Sequence, residues 1–308
     1  NDLGYFTFTN FVDHFAWMGY SWIKPTNWYN NFRINANAYY SRRLNPGTYQ
    51  NANFNINANG QLKNLWSVGS MIGYEPENNN FYEPRVAGKV FRGWSNYFTS
   101  MWFETNNAKK YKLYSELFYA KRNLFSSERY SFDFNQRYRF NNNLTISQGI
   151  SLSPQRNNVG FAGLEGSEVV FGKRDIKTIE NTLNIKYSFN ANMNINTRIR
   201  HYWSNVKYND FFTLQNDGSL EENSTYNENK NQNLNFFNID MVYTWQIAPG
   251  SFVNVVWKNA VTDFRQITVD SYFKNLNNTM KIEDNNNISF KIIYFLDYLQ
   301  LKNFKKKK

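Results

Sequence analysis

Two histidines are the side chains of this sequence best suited to proton transfer. Asp13 precedes His14, and Ser204 follows His201 by three residues. A hydrolytic site needs a histidine that contacts both a nucleophile and an orienting carboxylate or amide. Asp13 and His14 are neighbours in an extended stretch and therefore point to opposite faces of a strand. Surface or membrane-interface positions explain both histidines, so we assign no catalytic residue and predict that the protein is not an enzyme.

Acidic residues gather in one predicted loop, where they raise the question of a cation site. Asp217, Glu221, Glu222 and Glu228 lie close together, but their spacing does not match an EF-hand loop. The two histidines and the absence of cysteine give no set of zinc ligands. No glycine-rich phosphate loop is present. We therefore expect a solvated acidic loop, with no metal and no cofactor.

Polar and apolar residues alternate along most of the chain, which is the period of a β-strand. The stretch 51–59 has Phe54 and Ile56 on one face and asparagines on the other. Likewise Ile195 and Ile199 oppose Asn196. We predict about fourteen strands, the even number expected of a bacterial barrel. They lie near 3–11, 14–24, 30–42, 49–59, 64–75, 94–105, 110–122, 128–140, 144–153, 176–189, 192–207, 232–247, 251–262 and 287–299.

The composition of the chain narrows the class of all-β protein. The 308 residues are 19% aromatic and 19% charged, and none is cysteine. Mean hydropathy is −0.69, and no apolar run is long enough for a membrane-spanning helix. Abundant aromatic residues argue against disorder. Long amphipathic strands with many aromatic and small polar residues are typical of an outer-membrane β-barrel, which is apolar outside and polar inside.

The predicted connections between strands support an up-and-down barrel. Short turns alternate with longer connections near 76–93, 154–175, 208–231 and 263–286. Outer-membrane barrels have short periplasmic turns and longer extracellular loops. The long connections are therefore expected outside the cell and both ends of the chain in the periplasm. Residues 269–280 fit a short helix within the last loop.

The polar faces of the predicted strands carry charges of both signs, which we expect to line the barrel lumen. A selective pore lining and a salt-bridged filling of the interior remain open, and mixed signs favour the filling because buried charges need partners. The lumen-lining charges are Arg33, Asp133, Arg137, Arg139, Glu180, Lys186, Arg198, Arg200, Asp240, Lys291 and Asp297.

Aromatic residues near the predicted strand ends are expected to form the girdles found where lipid meets water. Sugar stacking in a binding cleft is the alternative interpretation. The girdle residues are Trp22, Trp28, Tyr74, Trp94, Tyr119, Trp203, Tyr208 and Trp245.

A net charge of +11 raises the question of nucleic-acid binding. The basic residues are dispersed among the strands, except for Lys305–Lys308 at the end of the chain. We expect no nucleic-acid partner. The basic tail at 305–308 is expected in the periplasm as a solvated segment, where anionic lipid head groups are a second partner for it.

Several segments resemble the barrel domain of a Bacteroidota outer-membrane family called "domain of unknown function 5916". The resembling segments are Asn1–Tyr5, Gly93–Tyr97, Val170–Gly172 with Asp175, Thr182–Phe189, Thr244–Trp257 and Ile288–Leu299. The resemblance implies a barrel domain over 1–304 that follows a carbohydrate-binding-like domain. It therefore suggests that Asn1 is not the native start, and it supplies no catalytic residues.

The sequence therefore predicts an all-β, antiparallel transmembrane barrel in a bacterial outer membrane. The first function we expect is a membrane anchor, or a subunit of a larger outer-membrane assembly, with a charge-filled lumen. Its partners are then outer-membrane lipid, lipopolysaccharide and other outer-membrane or periplasmic proteins. The alternatives are a passive or oligosaccharide-selective transport pore and a soluble carbohydrate-binding β-protein.

Overall fold

The computed structural model describes residues 9–296, and almost all of its regular structure is β-strand. One helix interrupts the strands, α1 at Tyr272–Thr279. The strands are β1 (Phe11–Trp22), β2 (Tyr29–Arg43), β3 (Tyr49–Leu62), β4 (Ser67–Glu75), β5 (Asn78–Asn80), β6 (Phe91–Gly93), β7 (Asn96–Glu104), β8 (Tyr111–Arg122), β9 (Ser127–Arg139), β10 (Leu144–Glu165), β11 (Glu168–Asn190), β12 (Met193–Leu214), β13 (Leu220–Glu222), β14 (Gln232–Ala248), β15 (Ser251–Arg265) and β16 (Asn285–Ile293).

Fourteen of these strands form one large antiparallel sheet. Each long strand pairs with the next long strand in the chain, and only the short β13 lies off this path, beside β12. The predicted all-β, antiparallel, up-and-down order is thereby confirmed. Within residues 9–296, β1 pairs only with β2 and β16 only with β15, so the sheet is open at both edges. Residues 3–8 of the predicted strand at 3–11 lie outside the described residues, and of the remaining three only Phe11 is in a strand, as the first residue of β1.

The predicted loop at 154–175 is almost entirely strand, so that prediction was wrong, and the predicted loop at 208–231 begins several residues later than expected. Strands β10 and β11 continue through 154–175 to a tight turn at Gly166, whose φ of 60° favours glycine. Strand β12 likewise continues to Leu214 and then pairs with β13. Register shifts, one of them between Gln155 and Asn158, disturb the alternation that the prediction relied on. The ladder to β9 has no pairs at Ser153 and Pro154, so the missing N–H of Pro154 costs no bond there.

Each face of the sheet keeps one chemical character from strand to strand. The register aligns Ala36, Ile56 and Ile72 on one face, and this face continues through Phe132, Ile150 and their partners to Phe290. We call it the apolar face. The opposite face carries the intervening asparagines, serines and charged residues, and we call it the polar face. A small sheet of β5 and β6 contacts β3, where Asn79 donates to the backbone carbonyl of Tyr49, and no larger sheet covers either face among residues 9–296.

The described residues contain one buried hydrophobic cluster, and it lies at the far end of the sheet, where β11 and β12 extend beyond most other strands. Val169, Phe171 and Leu214, from the extended ends of β11 and β12, contact Phe91 and Leu124 from two connections. The rings of Phe91 and Phe171 have centroids 4.7 Å apart. This cap cluster joins the long strands to the loops at the same end of the sheet.

Helix α1 forms within the last long connection, as the sequence predicts. Ser271 caps its first turn by accepting a hydrogen bond from the backbone N–H of Lys274. Among the described residues no helix has both the length and the apolar character needed to cross a membrane.

Candidate functional site

The polar face gathers the charged residues that the sequence assigns to a lumen. Register places ten of them on this one face, while Asp297 lies outside the described residues. Whether this face lines a lumen stays a prediction. The ten residues on the polar face are Arg33, Asp133, Arg137, Arg139, Glu180, Lys186, Arg198, Arg200, Asp240 and Lys291.

Ion pairs on the polar face join neighbouring strands of the same wall. Arg200 donates two hydrogen bonds to Glu180, at 3.0 and 2.8 Å, in a bidentate pair between β12 and β11. Lys112 and Glu104 form a second pair at 2.9 Å. Arg198 is aligned with Asp240 across β12 and β14. Among the ten charges, Arg200 and Glu180 thus form an ion pair between adjacent strands, and the alignment of Arg198 with Asp240 places two further opposite charges side by side.

An asparagine ladder occupies the polar face of β2 and β3. Asn35 donates to Asn57 at 2.9 Å, and Asn37 donates to Asn55 at 2.8 Å. The ladder continues to Glu75, which accepts a 3.1 Å hydrogen bond from Asn53. Hydrogen bonds of this kind between neighbouring strands satisfy the donors and acceptors of these side-chain amides.

Most predicted girdle residues are partly or fully exposed and lie on the apolar face or next to a strand end. Tyr74 stacks beside Tyr97 with centroids 4.8 Å apart, and Tyr119 lies 5.0 Å from Tyr130. The exposed tryptophans are Trp22, Trp28, Trp94 and Trp245.

Two of the predicted girdle residues have different surroundings. Trp203 is fully buried and its ring lies under α1, 5.9 Å from the ring of Tyr272. Tyr208 lies on the polar face, where its hydroxyl accepts a hydrogen bond from Arg174 at 2.7 Å. Neither side chain is available to a lipid-facing belt in this conformation.

Along several strands the apolar face carries two aromatic rings that stand eight residues apart, one towards each end of the strand. On β2, for example, Phe32 and Tyr40 are separated by Ile34, Ala36 and Ala38 on the same face. The other pairs at this spacing are Trp66 with Tyr74, Tyr111 with Tyr119 and Tyr130 with Tyr138.

His201 is a buried histidine rather than the surface or girdle residue that the sequence predicts. Its Nδ1 lies 2.9 Å from the hydroxyl of Tyr272, and its Nε2 lies 3.3 Å from the Oδ1 of Asn235. The amide oxygen can only accept, so in the neutral ring Nε2 donates and Nδ1 accepts from Tyr272. Burial raises the pKa of Tyr272, which keeps that hydroxyl protonated. Among residues 9–296 no carboxylate contacts the ring, and its two contacts join β12 to α1 and to β14.

Asn275 of α1 is the centre of the same buried cluster. It exchanges hydrogen bonds with Asn235, its Nδ2 donating to the Asn235 Oδ1 and its Oδ1 accepting from the Asn235 Nδ2. Asn233 also donates to Asn275, at 3.1 Å, and accepts a 2.6 Å hydrogen bond from the Trp203 indole. These contacts dock α1 onto the far ends of β12 and β14, on the side of the apolar face. His14, in contrast, lies exposed on that face beside Tyr40.

The acidic loop assembles no cation site. Asp217 accepts hydrogen bonds from Ser219, and Glu228 is bonded by Lys230 and Tyr226. Lys230 and then Tyr226 hold the pKa of Glu228 below its usual range. Among residues 9–296 no group of three acidic or histidine side chains is placed to hold a metal ion.

Sequence reasoning missed the aromatic rings on the polar face, among them four on β7 and β8. Phe98 and Trp102 of β7 alternate with Phe118 and Tyr114 of β8. The detectable signal is a pair of bulky residues at consecutive positions, such as Tyr97 followed by Phe98, because one of the two must point to the polar face.

Fold and site together define a class of protein: a single antiparallel sheet with one apolar and one polar face. A model of the family described as a domain of unknown function (DUF5916) matches residues 1–305, and the chain belongs to this family. No curated protein matches the sequence at a significant level.

Proposed function

We propose that this sheet is the wall of a closed transmembrane β-barrel in a bacterial outer membrane. The observation that carries the proposal is the continuous apolar face, on which large side chains stand exposed without a covering layer. Met18, Ile72, Met101 and Phe290 have 61 to 74% of their surface exposed. Exposure of such a surface to water costs about 25 cal/mol for each Å² of apolar area. Contact with acyl chains removes this cost.

The aromatic rings on the apolar face support the same proposal. Eight residues of strand span roughly 27 Å at about 3.3 Å per residue, or roughly 20 Å of membrane at a tilt near 40°. The apolar band of outer-membrane barrels is about 25 Å tall and lies between two aromatic girdles. Closure of the sheet satisfies the free N–H and C=O groups of the edge strands, which lipid cannot do.

The long connections and the cap cluster lie at one end of the sheet, whereas every connection at the other end is short. By the usual orientation of such barrels the capped end is extracellular and the turns are periplasmic. We propose that the protein acts there as a membrane anchor or as a subunit of a larger outer-membrane assembly. Lipid, lipopolysaccharide and neighbouring outer-membrane or periplasmic proteins are its proposed partners.

A second candidate function is a passive or oligosaccharide-selective transport pore. The ion pairs between adjacent strands favour this function. Charges that pair with a neighbouring strand do not bridge the lumen to the opposite side of the barrel. Planar-bilayer recording separates the two functions. The anchor predicts no large, stable current from purified protein, whereas the pore predicts such currents and accelerated swelling of liposomes in oligosaccharide.

Refolding tests the membrane proposal itself. The urea-denatured protein is diluted into buffer, into detergent micelles and into phosphatidylcholine vesicles. We expect a compact form with heat-modifiable gel mobility in micelles and vesicles, and aggregation in buffer alone. A monodisperse folded protein in detergent-free buffer would refute the proposal and favour a soluble β-protein.

A further inference from the structure

A column of four aromatic rings stands on the polar face, along β7 and β8. Phe98 and Phe118 lie nearly parallel, at 26°, with centroids 6.4 Å apart. Trp102 and Tyr114 follow further along the same two strands, with centroids 6.2 Å apart. All four side chains remain partly accessible. Apolar rings exposed among amides and charges need a partner that is itself partly apolar.

Glycines on β4 make room for the rings of β7 to lie against the sheet. A Cβ on Gly73 would stand 2.1 Å from the Phe98 ring, and one on Gly69 would stand 2.4 Å from Trp102. Both glycines are the cross-strand partners of these rings. The rings therefore lie flat over bare backbone.

A cavity of about 420 Å³ opens at the Phe98 end of the column. The two phenylalanine rings form part of its lining, together with Glu75, Asn96 and Arg122. Asn96 donates to Glu75 at 3.0 Å, which fixes the carboxylate. The volume lies in the range of small-molecule sites, and a few placed polar groups beside aromatic walls are their usual lining.

The donors at this cavity are not all used by the protein. The Nε of Arg122 is shielded from solvent and has no hydrogen-bond acceptor among the described residues. Arg129, whose guanidinium lies 5.6 Å from the Phe118 ring centroid, adds further donors. The buried Nε itself is out of a ligand's reach, but the outer N–H groups of Arg122 and Arg129 make no hydrogen bond to the described residues and suit a ligand that supplies oxygen acceptors.

We propose that the cavity and the aromatic column bind an oligosaccharide. A pyranose ring has C–H faces that stack on aromatic rings and equatorial hydroxyls that both donate and accept hydrogen bonds. Stacking on Phe98 and Phe118 places the hydroxyls beside Glu75 as acceptor and Arg122 and Arg129 as donors. Trp102 and Tyr114 continue the stacking surface for the following sugar units. The proposal rests on the polar face of the proposed barrel being open to solutes.

Calorimetric titration of the detergent-solubilised protein tests the site. The probes are neutral hexasaccharides of glucose, mannose and xylose. We expect saturable binding of at least one probe and at least tenfold weaker binding by Phe118→Ala. Leu117→Ala is the matched control, because Leu117 is the neighbouring residue on the apolar face. The Leu117→Ala variant should bind the hexasaccharide with the same affinity as the parent protein.

Two further variants distinguish the loss of the binding site from a loss of folding. Phe118→Leu keeps an apolar side chain but removes the flat ring, and it should bind as weakly as Phe118→Ala. Gly73→Ala displaces the Phe98 ring and should also weaken binding. The proposal is overturned if no hexasaccharide binds, or if a bound one tolerates all three changes. Heat-modifiable mobility is measured on the same samples, so a failure of the barrel proposal is recognised separately from a failure of the site.

Discussion

At the scale of single residues, Asn275 shows how a side-chain amide can join a helix to a sheet. It satisfies Asn233 and Asn235, and all three side chains are buried. An amide serves this purpose because it donates and accepts at once, so it can pair with a second amide in both directions. The charged alternatives would have to give up hydration without a counter-charge.

Replacing Asn275 by alanine should release α1 from the sheet. The change leaves buried amide groups of Asn233 and Asn235 without a partner, at about 1–3 kcal/mol for each lost bond. Trypsin cleavage after Lys274, within the docked helix, and after Lys281, just beyond it, should become several-fold faster. Asn277→Ala is the control, because Asn277 is exposed on the same helix. Equal cleavage rates in both variants would contradict the role of the cluster.

At the scale of elements, the hairpin of β10 and β11 divides into two parts. At the end of the sheet where every connection is short, the two strands alternate between the apolar and the polar face. The far part, which ends at the turn between β10 and β11, buries Val169 and Phe171 in the cap cluster. Strands of 22 and 23 residues far exceed the 9–11 that a tilted strand needs to cross a bilayer. We therefore expect the far part to stand outside the membrane.

Removing the Phe171 ring should loosen the cap but leave the sheet folded. The side chain is fully buried, and a phenylalanine-to-alanine change in such a position costs about 3–5 kcal/mol. Hydrogen exchange should rise over Phe91–Gly93 and the end of β12, while the amides of β14 and β15 keep their protection. The control is Leu164→Ala, which removes a half-exposed side chain from the same hairpin. A uniform rise across all strands would show that the cap is not a separate unit.

The division of the β10–β11 hairpin into two parts also explains which strands could be predicted from the sequence. Alternation reports only which face a residue points to, and that is enough to place Arg33, Arg198 and Lys291 on one face. A bulge shifts the alternation by one residue, so the ordered strand around Asn157, whose φ is 51°, looks like a loop. The burial of Trp203 and His201 depends on a helix some seventy residues later, and no local pattern carries that contact.

At the scale of the whole molecule, the chain exposes far more surface than a compact protein of its size. Its accessible area is 19865 Å². The general relation between area and mass gives about 13,500 Å² for a soluble monomer of 36.7 kDa. The additional accessible area is what we expect of a single-layer sheet that contacts lipid on one face and water on the other.

The central claim is that the apolar face contacts acyl chains. Because the chain contains no cysteine, single cysteines placed along β9 each carry one nitroxide label. In phosphatidylcholine vesicles we predict high oxygen accessibility at Phe132 and Phe134 and high accessibility to a water-soluble nickel complex at Asp133 and Asn135. Low accessibility to both reagents at Phe132 and Phe134 would place these residues in a dry protein interior and contradict the account.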